Sequence, residues 1–191
     1  MTSSAKRLRN YSVKNMIYSL VAVFALAFAW WALMPSPESL MRRPVEVRPV
    51  ASYAAEQASW PVWLPEGLSD GEWTPTTVNY QTRADVPTWR MGWVTPSQEW
   101  IGLDQARAVT PEWRELVLPD AEQVGEVTLA VPGGGEGTWT QWRSETETAL
   151  IFEPPAGDTV NGTTVVHGTT SVDELEEFVS SLRVMGDPEN G

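Results

Sequence analysis

The chain contains no cysteine. Disulfides, thiolate metal sites, a cysteine nucleophile and a lipid-modified N-terminal cysteine are thereby excluded, and stability has to come from packing. Histidine is nearly as scarce. His167 is the only one, which rules out a multi-histidine metal site and leaves a Ser-His-Asp triad a single candidate base. It stands in an alternating strand between Val166 and Gly168, an ordinary structural position, and no G-x-S-x-G precedes it in a strand-to-helix context. Lysine ends at Lys14.

That last scarcity exposes a charge partition. Lys6, Arg7, Arg9 and Lys14 precede a long apolar segment, and all 25 acidic residues follow it. Beyond the segment nine arginines stand against those 25 acids, a balance of −16 where the whole chain carries −12. Such a domain repels phosphate backbones and anionic head groups, so no nucleic-acid partner is expected, and solubility is the simple reason for the acidity.

The apolar segment is the strongest single feature. No charge occurs from Asn15 to Pro37, and Met16 to Met34 is almost wholly apolar. At about 1.5 Å per residue, these residues span roughly the 30 Å hydrocarbon core of a bilayer. Trp30 and Trp31 lie near the far end, where indoles favour the interface, and Pro35 and Pro37 end the helix. A cleaved signal peptide with Ala27-Phe28-Ala29 as its cleavage site is the rival. Apolarity continues through Trp30-Trp31-Ala32-Leu33-Met34, which favours a retained anchor. Four basic residues before the span, Lys14 nearest, outweigh Arg42, Arg43 and Arg48 after it, so the N-terminus is expected in the cytoplasm and the domain outside.

The expected organisation is a basic cytoplasmic tail (1–15), a transmembrane helix (16–34), a Pro- and Ala-rich tether (35–58), an extracytoplasmic domain (59–185) and a short C-terminal tail (186–191). Within the tether, Ala51 to Ala58 could form a short helix. Trp60 to Leu68, with Pro61, Pro65 and Gly67, is expected to be irregular. Alternation at Val78 and Tyr80, at Trp89, Met91 and Trp93, and the run Trp100 to Leu103 predict three antiparallel strands. Thr110-Pro111 opens a helix carrying Trp113, Leu116 and Val117. Strand signals resume at Val127 to Val131, Thr138 to Arg143, Ala149 to Phe152 and Thr163 to His167, with Gly133-Gly134-Gly135 and Asn161-Gly162 at turns.

The last element is the clearest. Ser171 and Glu174 form a capping box, and Val172, Leu175, Phe178, Val179 and Leu182 recur at helical spacing. Asp173, Glu174, Glu176 and Glu177 suit the N-terminal end and outer face of a helix better than a calcium site. The expected fold class is α+β, an antiparallel sheet of about six or seven strands with both helices on one face. Its element order is similar to the sandwich of the Mog1 and PsbP group.

Three segments carry a family resemblance: Pro61-Val62-Trp63-Leu64-Pro65-Glu66-Gly67-Leu68, Pro87 to Pro96 (PTWRMGWVTP), and Thr164-Val165-Val166-His167-Gly168-Thr169 before the final helix. In that order they resemble the actinobacterial membrane-anchored proteins catalogued as domain of unknown function 4245. The likeness covers nearly the whole chain; Glu153 to Asp158 looks longer than the usual turn. It implies an actinobacterial cell envelope and an extracytoplasmic domain, and it carries no activity.

Chemistry is hard to find. Gly133 to Gly137 lacks the Lys-Ser or Lys-Thr and the helix of a phosphate cradle, and is a hairpin loop. Nine tryptophans lie beyond the span, Glu99 and Glu112 beside two of them; sugar binding or carboxylate hydrolysis would use exposed rings, but their alternation with polar residues favours a core. No catalytic, cofactor-binding or metal-binding residue is therefore singled out. The expected function is a non-enzymatic envelope module contacting a protein or cell-wall component. The alternatives are a small ligand- or glycan-binding module and an accessory subunit whose helix packs through Ala22, Ala25 and Ala29.

Overall fold

A computed structural model describes residues 16–28, 30, 45–69, 71–158 and 160–186. The chain divides into two compact units, Met1–Met41 and Arg42–Gly191.

In the first unit residues 16–28, and residue 30, are helical; this helix is α1. Its large apolar side chains are exposed on every face, from 49% at Ile17 to 73% at Leu26. Residues 16–28 cover roughly 20 Å at helical rise. Among the described residues no helix is long and apolar enough to cross a membrane. The expected basic tail at 1–15, the rest of the span (29 and 31–34), the first part of the tether (35–44) and most of the C-terminal tail (187–191) lie outside the described residues.

The second unit is α+β. Strands β1 (Trp63–Pro65), β2 (Thr74–Arg83), β3 (Val86–Val94), β4 (Trp100–Ala106), β5 (Glu122–Val131), β6 (Gly135–Arg143), β7 (Thr148–Phe152), β8 (Thr163–Gly168) and β9 (Leu182–Val184) are joined by helices α2 (Val47–Gln57), α3 (Pro111–Val117) and α4 (Val172–Ser181). Seven strands form one antiparallel sheet in the order β2-β3-β4-β8-β7-β6-β5. Two meanders thus meet at a seam between β4 and β8, where Leu103 faces Val166 and Asp104 faces Val165.

Alternation along the strands sorts the side chains into two cores. Trp89, Met91, Ile101, Leu103, Trp139, Leu150 and Val166 pack with Ala51 and Ala54 of α2 and with Leu175, Phe178 and Val179 of α4. The opposite face contributes Val86, Ala106, Ala149, Ile151 and Val165, which pack with Trp113 and Val117 of α3. The expectation of both predicted helices on one face is therefore corrected. The central strands are covered on both sides, as the unbroken burial of β8 from Thr163 to Gly168 shows, and such a sheet needs a helix on each side.

Two further expectations change. Residues 47–57, assigned to the tether, form a helix with Ala51 and Ala54 fully buried, so the fold begins before Ser59. Trp63–Pro65, expected to be irregular, pairs with β9 as a second, two-stranded sheet. Met185 donates its backbone N–H to Val62 O and Glu66 to Ser181 O, so a partner more than a hundred residues away in sequence imposes regularity on a proline-rich stretch.

Both N-caps hold, but the expected capping box is only half formed, because the Glu174 carboxylate turns to Ser97 and Thr170 rather than back to the Ser171 N–H. Thr110 and Ser171 accept backbone N–H groups from Trp113 and Glu174 at the starts of α3 and α4. Pro132 to Gly134 close the β5–β6 hairpin, with Gly133 at φ +74°. The β2–β3 turn had no glycine to announce it. Ala84 and Asp85 take φ of +43° and +63°, the primed two-residue turn that usually selects Asn-Gly. Of the nine tryptophans, Trp60, Trp63, Trp73, Trp89, Trp93, Trp113 and Trp139 are buried, while Trp100 and Trp142 are half-buried. Most of the indoles are thus core.

Candidate functional site: a buried charge network and an open cleft

On the face of the sheet that carries α3, Asp104 occupies an inward position of β4 and is fully buried. A lone carboxylate there would be costly to ionise. It is matched by two arginines and a histidine. Arg83, at the end of β2, donates to Asp104 Oδ1 at 2.7 Å, and Arg90 of β3 approaches the same oxygen at 3.8 Å. His167 Nε2, across the seam on β8, lies 3.2 Å from Oδ2. The other ring nitrogen, Nδ1, lies 2.7 Å from Glu147 Oε2, just before β7.

The network stretches over β2, β3, β4 and β8 and the β6–β7 turn, binding the two meanders together. Burial by itself would lower the His167 pKa, but hydrogen bonds and charge from Asp104 and Glu147 outweigh it and hold the pKa above the ordinary imidazole value. The hydrogen bond from His167 is the chief reason Glu147 ionises below the usual carboxylate range. When the ring is protonated, both N–H groups donate to carboxylates. A general base must offer a ring nitrogen with a free lone pair. The protonated ring, with a carboxylate facing each nitrogen, offers none.

Trp100 closes the network edge-on over the imidazole, with ring centroids 5.1 Å apart. Gly102 makes room for it: a Cβ at this position would run into the Trp100 ring and lie 3.1 Å from His167 Nε2. Sequence reasoning found His167 and missed Asp104, Arg83, Arg90 and Glu147. The available signal was a charged residue inside an apolar alternating run, as with Arg90 between Trp89 and Met91 and Asp104 after Leu103.

A cleft of about 480 Å³ opens beside α3, lined by Val109, Arg114, Glu115, Asp120, Trp142 and Ile151 among others. Its floor comes from the second core; Arg114 lies 6.0 Å from the Trp142 ring centroid and pairs with Glu153. Glu115 and Asp120 are both exposed. Of the α4 acids, Glu174 accepts hydrogen bonds from Ser97 and Thr170. Among the described residues no group of three or more His, Asp or Glu side chains is placed to hold a metal ion.

No curated protein and no solved structure matches the chain. A family model described as a protein of unknown function, DUF4245, matches residues 9–182, from the basic tail to the end of α4. With nearly the whole length matched, from before the apolar helix through the seven-stranded domain, the chain belongs to the DUF4245 family.

Proposed function

We propose that this protein is anchored in the cell membrane by a single span at residues 16–34, with its α+β domain outside the cytoplasm, and that it acts by binding a protein or cell-wall partner rather than by catalysis. The observation that carries this reading is α1, a helix whose described large apolar side chains are exposed on every side. A helix of that kind is stable when lipid or another helix surrounds it. The four basic residues before it, against three after it, favour the stated orientation, as does the envelope setting that the family resemblance implies for an actinobacterium. For the absence of catalysis, support comes from His167, whose two ring nitrogens are both engaged by carboxylates.

Membrane fractionation of the full chain, with a reporter fused after Gly191, tests it. The protein is expected in the membrane fraction after alkaline washing, with a periplasm- or exterior-specific reporter active. Recovery in the soluble fraction, or a reporter active only in the cytoplasm, would sink the proposal.

The cleft beside α3 favours one second reading, a small ligand- or glycan-binding module with Trp142 as the stacking ring and Glu115 and Asp120 at the rim. Titration of the full chain with cell-wall oligosaccharides, followed by tryptophan fluorescence in wild type and Trp142→Ala, decides it. No saturable change, or the same change in both, removes this reading.

A further inference from the structure

The two terminal strands of the large sheet are guarded unequally. β2 contains Pro75, is bulged between Pro75 and Thr77, receives the Val45 N–H on Pro75 O at 3.1 Å, and has α2 packed against it. These are the devices by which sheets blunt an edge. β5 has ten residues and no proline, lysine or arginine. Its irregularity is confined to the start, between Gln123 and Gly125; from Gly125 to Val131 it keeps regular register with β6. Among the described residues nothing pairs with its outer side.

In an antiparallel ladder every second residue turns its N–H and C=O away from its partner, so Gly125 to Val131 offers about three residues with open hydrogen-bonding groups. The side chains divide by alternation. Val127 and Leu129 lie on the inner face, half-buried against the main core, and α4 reaches this strand. Glu126, Thr128 and Ala130 lie on the outer face, and their register partners Thr140, Thr138 and Glu136 share it. That face is thus a threonine row with a carboxylate toward each end, in a domain whose charge beyond the apolar segment is −16.

We propose that β5 is a docking edge for an extended cationic segment of a partner protein, about seven residues in which apolar side chains alternate with arginine or lysine. The apolar set would complete the burial of Val127 and Leu129, and the basic set would lie beside Glu126 and Glu136. A second copy of the chain is a poorer occupant, since it would bring its own carboxylates to the same face. The inference rests on the reading of the domain as an interaction module and names the surface that module uses.

The probe is a synthetic heptapeptide alternating valine and arginine, added to the full chain in detergent micelles and followed by amide hydrogen exchange and NMR shifts. Saturating peptide is expected to slow exchange of the outward amides of residues 125–131 by tenfold or more, about the protection a ladder hydrogen bond of modest stability gives. Peptides with glutamate replacing arginine, or proline replacing the central valine, are expected to bind about tenfold more weakly. Glu126→Arg, an exposed substitution, is expected to weaken the arginine peptide about fivefold, with an unchanged circular dichroism spectrum. Absence of protection on β5, protection confined to α4, or equal binding of the glutamate peptide would overturn the proposal. Concentration-dependent self-association that protects the same amides without peptide would assign the edge to a second copy instead. If partners copurify with both wild type and Glu126→Arg while the peptide fails to bind, the interaction reading survives and the β5 edge does not.

Discussion

Asp104→Asn is the most discriminating perturbation of the fold. Asparagine keeps the volume and one acceptor oxygen, so no cavity forms, and the loss is that of the charge together with the one acceptor that the amide NH2 replaces. Asp104 is fully buried and holds Arg83 at 2.7 Å, His167 at 3.2 Å and Arg90 at 3.8 Å. Removing one partner of a buried pair costs about 3–5 kcal/mol, because the remaining charge stays desolvated. Arg83 and Arg90 retain some exposure and can turn toward water, whereas His167 cannot; the expected loss is therefore near the lower end, about 3 kcal/mol. For a domain of this size that is a fall in Tm of roughly 6–12 °C. The loss carries a pH signature. His167 has a folded pKa raised above its unfolded value of about 6.5, so its contribution is fully present below that pH and fades as pH rises through the folded pKa. Glu147 is shifted the other way, so its contribution is present above its unfolded value and fades as pH falls through the lowered folded pKa. Urea unfolding of wild type and Asp104→Asn from pH 5.5 to 9 should show the largest gap at the acid end and a narrowing gap toward pH 9. A loss below about 1 kcal/mol, or a gap that is flat across this range, would refute the account of the network as a charge-matched clamp.

Other substitutions test separate links. Ala84→Asn with Asp85→Gly places the preferred residues in a turn whose φ angles are both positive, and should raise stability by about 1 kcal/mol, read as a higher urea midpoint at unchanged slope. Gly102→Ala should displace Trp100 from His167 and alter the near-ultraviolet dichroism and tryptophan emission, at a cost of about 1–3 kcal/mol. Trp113→Phe removes the indole N–H that donates to Thr88 Oγ1 at 2.8 Å in the second core; a loss of about 1–3 kcal/mol is expected in thermal unfolding. Ser171→Ala deletes the cap that accepts the Glu174 N–H and should cost about 1 kcal/mol.

What was legible in the chain follows from the range of the interactions involved. The α3 and α4 starts were readable because a cap acts over three residues, and the central strands because alternation at Trp89, Met91 and Trp93 records burial locally. The β2–β3 turn was harder to place, since Ala84 and Asp85 adopt positive φ only because the flanking strands hold them there. Helix α2 was largely hidden for a related reason. Two alanines and flanking polar residues make a weak amphipathic signal, and Ala51 and Ala54 become core only when the sheet supplies a surface to pack on.

The sequence by itself determined the elements with short-range causes: the apolar run at 16–34, the charge partition around it, the capped helices and the two meanders. Tertiary structure alone decided that the meanders join at β4 and β8, that α3 and α4 lie on opposite faces, and that Trp63–Pro65 pairs with Leu182–Val184. It also gathered Arg83, Arg90, Asp104, Glu147 and His167 into one network. These residues are separated by up to 84 positions, and no local pattern encodes their meeting. Their partners are fixed by strand register, which is set by which faces the whole sheet must bury.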